Sequence, residues 1–214
     1  MKNLILIFFV SVCFSCKQKQ ETQPEIKQLS IAKKIANAHG FESWKNVSQI
    51  DFTFNGQRNW SWKPKTNNVT LITEADTLTY NRKNVDSLST KVNGGFVNDK
   101  FWLLIPFQLV WDKNATISES TKAEAPISKT ELNKITLTYS NEGGYTPGDA
   151  YDIYYGNDFL IKEWVFRRGN SDKPSLTNTF ESYQDFNGIK IATEHKTSDS
   201  GWNLVFTNVK VITD

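Results

Sequence analysis

From residue 47 onward the apolar residues fall on every second position, and this alternation constrains the fold more than anything else in the chain. Ile50, Phe52 and Phe54 alternate with Gln49, Asp51 and Thr53, and Trp60 and Trp62 alternate with Asn59, Ser61 and Lys63. Val69 with Leu71, and Leu78 with Tyr80, continue the pattern. Successive side chains of a strand point to opposite faces, so each segment reads as a strand with one buried face. Turn signals separate the segments: Asn55-Gly56, residues 64–68 and residues 74–76. The result is four strands of an up-and-down meander.

The rhythm resumes later. Residues 115–125 are weak and polar. Ile135, Leu137 and Tyr139 then alternate, as do Tyr151, Ile153 and Tyr155. Residues 160–168 carry Trp164 and Phe166 on one face. Residues 176–186, 189–196 and 202–211 complete the series, with Asn187-Gly188 as a turn and Trp202, Leu204 and Phe206 in the last strand. That makes about eleven short, closely connected strands, for which antiparallel pairing is expected. A flat sheet of that size is unusual, so the strands should curl into an unclosed or closed barrel, with every second residue facing a lumen. The expected class is mainly β with some α.

Two helical segments stand apart. Leu29, Ala32, Ile35 and Ala36 have helical spacing, and Gly40 sits where a C-cap belongs after His39. Between the strand runs, Val85, Leu88 and Val92 have helical spacing. Asn93-Gly94-Gly95 should interrupt them, and residues 96–104 read as a second short helix ending before Pro106. This insertion contains residues 101–111, FWLLIPFQLVW, the most apolar stretch beyond the N-terminus. It is too short to span a bilayer, which takes ~20 apolar residues. It is expected to act as a plug or as a buried connection, with Phe101, Leu104 and Ile105 facing the sheet.

The N-terminus reads as a targeting segment. Lys2 precedes an eleven-residue apolar run, residues 4–14, and Ser15-Cys16 follows. The end of this segment resembles a bacterial lipoprotein signal, although Cys13 and Phe14 occupy slots where a lipobox favours leucine. A plain secretory signal or a short anchor is the alternative. On the lipoprotein reading, residues 1–15 are removed, Cys16 is lipidated, and residues 16–28 form a flexible tether to a domain at 29–214. No thiol then remains for a disulfide, a metal site or a nucleophile.

Without Lys2, 24 of the 25 basic side chains face 23 acidic ones, a formal +1. That balance excludes the basic footprint nucleic-acid binding requires. His39 and His195, read as a helix-end and a surface-strand histidine, are too few and too distant for a metal site. No Gly-x-Ser-x-Gly, His-Glu-x-x-His or P-loop is present. No catalytic residue, cofactor or metal is therefore assigned.

Aromatic content is the chemistry that remains, with seven Trp, seven Tyr and fourteen Phe. Phe52, Phe54, Trp60, Trp62, Trp102, Leu104, Trp164, Phe166 and Trp202 are the candidates to line a cavity. Trp111 belongs to the same aromatic set.

The order of elements resembles the LolA/LolB-like fold of envelope lipoprotein carriers over residues 29–213. The resemblance lies in Ala38-His39-Gly40 before Trp44 and the strand at 51–54, and in residues 149–163, DAYDIYYGNDFLIKE. It continues in the strand-turn-strand at residues 183–191, where Ile191-Ala192 stands in place of a common Leu-Pro. The resemblance implies an unclosed barrel with helices at its mouth, a hydrophobic cavity for acyl chains and no enzymatic activity. Individual ligand residues do not carry over, because the family has no short motif. The carrier of that family is soluble, whereas this chain bears an anchor signal like the outer-membrane acceptor.

The expected function is thus a lipid-anchored bacterial envelope protein, monomeric, that binds a lipid or an acylated protein. The rivals are a glycan- or solute-binding module that stacks sugars on Trp, and a hydrolase using Glu163, Asp185 or Glu194. Asp76-Thr77-Leu78 and Asp86-Ser87-Leu88 also resemble an O-glycosylation sequon of exported Bacteroidetes proteins.

Overall fold

A computed structural model describes residues 29–199 and 201–214. The expected signal, lipidation site and tether lie outside the described residues.

The first helix, α1 (Ile31–Ala38), begins at Ser30, whose hydroxyl accepts from the Lys33 amide at 3.3 Å. It ends at His39 and Gly40, and Gly40 has φ +91°. A side chain at Gly40 would collide with the Gly188 carbonyl. Glycine is therefore required there for close approach as well as for its left-handed backbone.

The strands form two antiparallel sheets. β1 (Val47–Phe54), β2 (Arg58–Lys63), β3 (Asn68–Ile72) and β4 (Thr77–Asn81) follow α1. β5 (Ala115–Ile117), β6 (Thr121–Glu124), β7 (Glu131–Tyr139), β8 (Ala150–Tyr155), β9 (Ile161–Arg167) and β10 (Leu176–Thr179) make the second sheet. β11 (Glu181–Phe186), β12 (Ile189–Lys196) and β13 (Asn203–Thr213) return to the first. The seven-stranded sheet runs β11-β12-β13-β1-β2-β3-β4, and the six-stranded sheet runs β10-β9-β8-β7-β5 with β6 also on β7. Pairing of β13 with β1 ties the end of the chain to its start.

The sheets meet where the chain passes from β10 to β11. There the Phe180 amide donates to the Lys162 carbonyl at 2.7 Å, and the Lys196 amide donates to the Thr179 hydroxyl at 3.1 Å. On the opposite side no ladder joins β4 to β5 or β6 among the described residues. The fold is mainly β, an unclosed antiparallel barrel with helices, as the alternation predicts.

Thirteen strands are described where the spacing predicts about eleven. Residues 176–186 divide because Phe180 is buried at the corner where the chain changes sheets. Residues 115–125 divide because the Ser118 hydroxyl accepts from the Thr136 amide at 2.9 Å, so a side chain stands in for a ladder carbonyl.

The insertion also differs from expectation. The glycines do not interrupt it and it does not end before Pro106; one helix, α2, runs Thr90–Trp111. It kinks at Leu104 (φ −126°, ψ 30°). Pro106 falls in the first turn after the kink, where its missing N–H has no intrahelical partner to lose. Nor does the helix begin at Val85: Val85 and Leu88 precede it and are exposed, Leu88 to 78%. The propensity cost of two glycines, ~1 kcal/mol each, is offset by burial. From Phe101 to Leu109 every residue is buried, the mark of a helix apolar on all sides and enclosed on all sides. Phe101, Leu104 and Ile105 belong to one core with residues of both sheets and α1.

Candidate functional site

Cross-strand pairing sets the inner face of the first sheet. Phe52 lies opposite Trp60, and Ile50 opposite Trp62. Phe96 of α2 meets Trp60 and Trp62 edge-on, with ring centroids at 5.4 and 5.5 Å. Beside them Asp99, fully buried, accepts from Arg58 at 2.7 and 2.8 Å, from the Trp60 indole at 2.8 Å and from the Asn98 amide at 3.0 Å. Four donors make burial of this carboxylate tolerable. They also fix α2 to β2.

On the other flank of α2, toward the six-stranded sheet, lies a cavity of about 180 Å³. Its walls are Phe101, Trp102, Tyr151, Trp164, Phe166 and Leu176. Tyr145 and Thr146, from the β7–β8 connection, close it with Asn98. Tyr145 stacks flat on Phe101 with ring centroids 3.7 Å apart, and its hydroxyl donates to Asn98 at 3.0 Å. The Thr146 and Tyr151 hydroxyls pair at 3.0 Å. Burial pushes the Tyr145 and Tyr151 phenols well above their usual range, so both stay neutral. The cavity is an aromatic box with a few satisfied polar groups, suited to an apolar guest.

The nine candidate lining residues do not converge on one lumen. Trp102, Trp164 and Phe166 line this cavity. Phe52 and Trp60 border an open hollow of about 390 Å³ with Asp51, Asn59 and Asn208. Trp62 lines a third cleft, shared with Lys100. Phe54 and Leu104 pack in the core and line none of these. Trp202 is 37% exposed and touches Trp102 with centroids 5.7 Å apart.

Neither histidine is at the surface. His39 is buried; its Nδ1 lies 2.8 Å from the Ile35 carbonyl and its Nε2 lies 3.2 Å from the Tyr183 hydroxyl. His195, read from sequence as a surface-strand residue, is fully buried among Trp102, Phe180 and Phe206. It lies on the inward face of its strand with Ile189 and Ile191, at the junction of the two sheets, while Lys190 on the opposite face is exposed. Burial lowers both histidines to about 4. Among the described residues no cluster of three His, Cys, Asp or Glu could hold a metal.

The carboxylates named for hydrolysis have other partners. Glu163 is buried and accepts from the Ile127 and Ser128 amides at 2.7 and 2.9 Å. Asp185 caps the Gly188 amide at 2.7 Å, and Glu194 pairs with Lys196 at 2.8 Å. None lines the cavities above. Thr77 and Ser87, of the two sequon-like triplets, are both exposed.

No protein-family model matches the chain, and no curated protein matches it. Among solved structures it is similar to the crystal structure of a DUF1329 family protein from Desulfovibrio piger. The two share 9% identity with a TM-score of 0.39, over 86% of this chain and 94% of that one.

Sequence reasoning missed Tyr145 of the aromatic cavity and Lys100 of the third cleft, which Arg82 also lines. Lys100 left one legible signal: a charged pair, Asp99-Lys100, directly abuts the most apolar run. No described helix is long and apolar enough to cross a membrane.

Proposed function

We propose that this chain is a LolA/LolB-like envelope lipoprotein that binds a lipid or another apolar ligand without chemical conversion. The observation that carries the reading is the aromatic cavity between α2 and the six-stranded sheet. At about 180 Å³ it compares with dry cavities of ~150 Å³ that take up benzene, so it holds a ring or the end of an alkyl chain. A longer acyl chain than this space holds would need α2 to move off the sheet. Transfer of cargo then requires only differential burial, at ~0.8 kcal/mol per CH₂.

Lipidation of Cys16 would anchor the protein as a monomer in the outer membrane, on its periplasmic or surface side, with residues 16–28 as the tether. This part of the proposal rests on the signal-like N-terminus. A second reading, sugar binding, has support in Trp44 and Trp111, which are half-buried beside an open cleft.

Native mass spectrometry of protein extracted from a bacterial envelope tests the first reading, together with uptake of the neutral probe N-phenyl-1-naphthylamine. A bound apolar species, displaced in Leu176→Trp, is the expected result. An empty protein that takes up no probe sinks it.

A further inference from the structure

The cleft on the side of α2 away from the aromatic cavity holds two basic side chains that form no ion pair among the described residues. It measures about 290 Å³ and is lined by Trp44, Trp62, Pro64, Arg82, Lys100, Gln108 and Trp111. Lys100 is only 7% exposed. Its ammonium donates to the Gln108 side-chain oxygen at 2.8 Å and lies 5.9 and 5.5 Å from the ring centroids of Trp62 and Trp111. Among the described residues the Arg82 guanidinium reaches only the Asn93 side-chain oxygen, at 3.4 Å, and the face of Phe96. Among the described residues neither forms an ion pair with a carboxylate. The Trp62 indole N–H, buried at the same cleft, has no hydrogen-bond partner among the described residues.

A buried ammonium is normally paired, because desolvating it alone is costly. Arg58, on the same strand as Trp62, shows what pairing looks like in this fold: it has Asp99. Lys100, next to Asp99 in sequence, lies ~100° further round the helix, over Trp62 and Trp111, and among the described residues has no such partner. Burial and the nearby Arg82 lower its pKa to about 7, with Asp112 opposing. The rest of the wall is tryptophan, proline and an amide, which do not titrate near neutrality. A second hollow of about 240 Å³ continues past Trp44 and Pro64 and adds Lys45 and Lys65, the latter paired with Asp214.

We infer that this cleft is an oxyanion site, which takes a carboxylate or phosphate carried on a body with an apolar face. The anion would occupy the free donors of Lys100, Arg82 and Trp62, and the body would lie against Trp44 and Trp111. Two sources share that chemistry, an acidic sugar and a phosphate lipid headgroup. The cleft has no lining residue in common with the aromatic cavity, so the two proposals stand or fall separately.

Calorimetric titration of the detergent-solubilised full chain tests it, with glucuronate, glycerol 1-phosphate and, as neutral control, glucose. One of the anions is expected to bind about tenfold or more tighter than glucose. Preference for glucuronate assigns the sugar, and preference for glycerol 1-phosphate assigns the headgroup. Lys100→Met and Arg82→Gln should each weaken that anion by about tenfold. Lys100→Met should do so without lowering the thermal midpoint, because it removes an unpaired buried charge. Affinity should also fall as pH rises through 7, where Lys100 loses its proton. The proposal is overturned if neither anion outbinds glucose, or if both variants bind as the parent does.

Discussion

Arg58 on β2 grips Asp99 on α2 through two charge-assisted bonds of 2.7 and 2.8 Å, and the two partners are buried unequally. The Asp99 side chain is fully buried, whereas the Arg58 side chain is one-third exposed, at 33%. Removing either partner therefore has different consequences. Arg58→Met strands a buried carboxylate and should cost about 3 kcal/mol. Asp99→Asn leaves Arg58 able to reach water and should cost about 1–2 kcal/mol. Urea unfolding of both variants checks the order; a larger loss from Asp99→Asn would refute it.

Gly40 carries two constraints at once, a φ of +91° and contact with the Gly188 carbonyl. The Lys190 amide also donates to the His39 carbonyl at 3.0 Å, so the end of α1 is clamped to the β11–β12 turn. Gly40→Ala should cost at least about 2 kcal/mol, more than backbone strain alone explains. Gly56 has φ +67° with open space around it, so Gly56→Ala should show only the strain. Thermal melts of the pair separate the two contributions.

His39 and His195 are held neutral by burial, each near pKa 4 against 6.5 when exposed. Between those values the unfolded chain binds more protons than the folded one. Stability is therefore full above about pH 6.5 and falls as pH drops toward 4, by on the order of 3 kcal/mol per histidine. Denaturant titrations from pH 7.5 to 4 should show this loss, and His195→Gln should remove part of it.

Leu104 sits at the kink of α2, buried but lining none of the cavities described above, whereas Trp102 walls the aromatic one. Leu104→Ala should lose about 2–5 kcal/mol of stability and leave probe uptake unchanged. Trp102→Ala should alter probe uptake as well. Equal effects on uptake would mean that the whole helix gates the cavity.

Period-two alternation determined most of the fold directly. It located β1 to β4 and β7 to β9 and the inward face of each, because side-chain alternation is a local property of an extended backbone. The helix at Ile31–Ala38 was equally legible, through its apolar spacing and Gly40. The division of residues 176–186 was not, since Phe180 turns inward only because two sheets meet there. His195 looked like a surface residue for the same reason.

The candidate site was less legible than the fold. Aromatic content marked Trp102, Trp164 and Phe166 as lining residues but could not separate them from Phe54 or Leu104, which are equally apolar and only pack. Period and hydrophobicity report that a residue is buried; they do not report whether a void remains beside it. The sequence by itself therefore determined the strands, their inner faces and an apolar insertion between them. Only the tertiary structure decided that the insertion is one kinked helix, that Asp99 is paired and that Lys100 is not. Those outcomes depend on residues far apart in the chain, such as Arg58 with Asp99 and Gly40 with Gly188, and no local pattern encodes which distant group arrives.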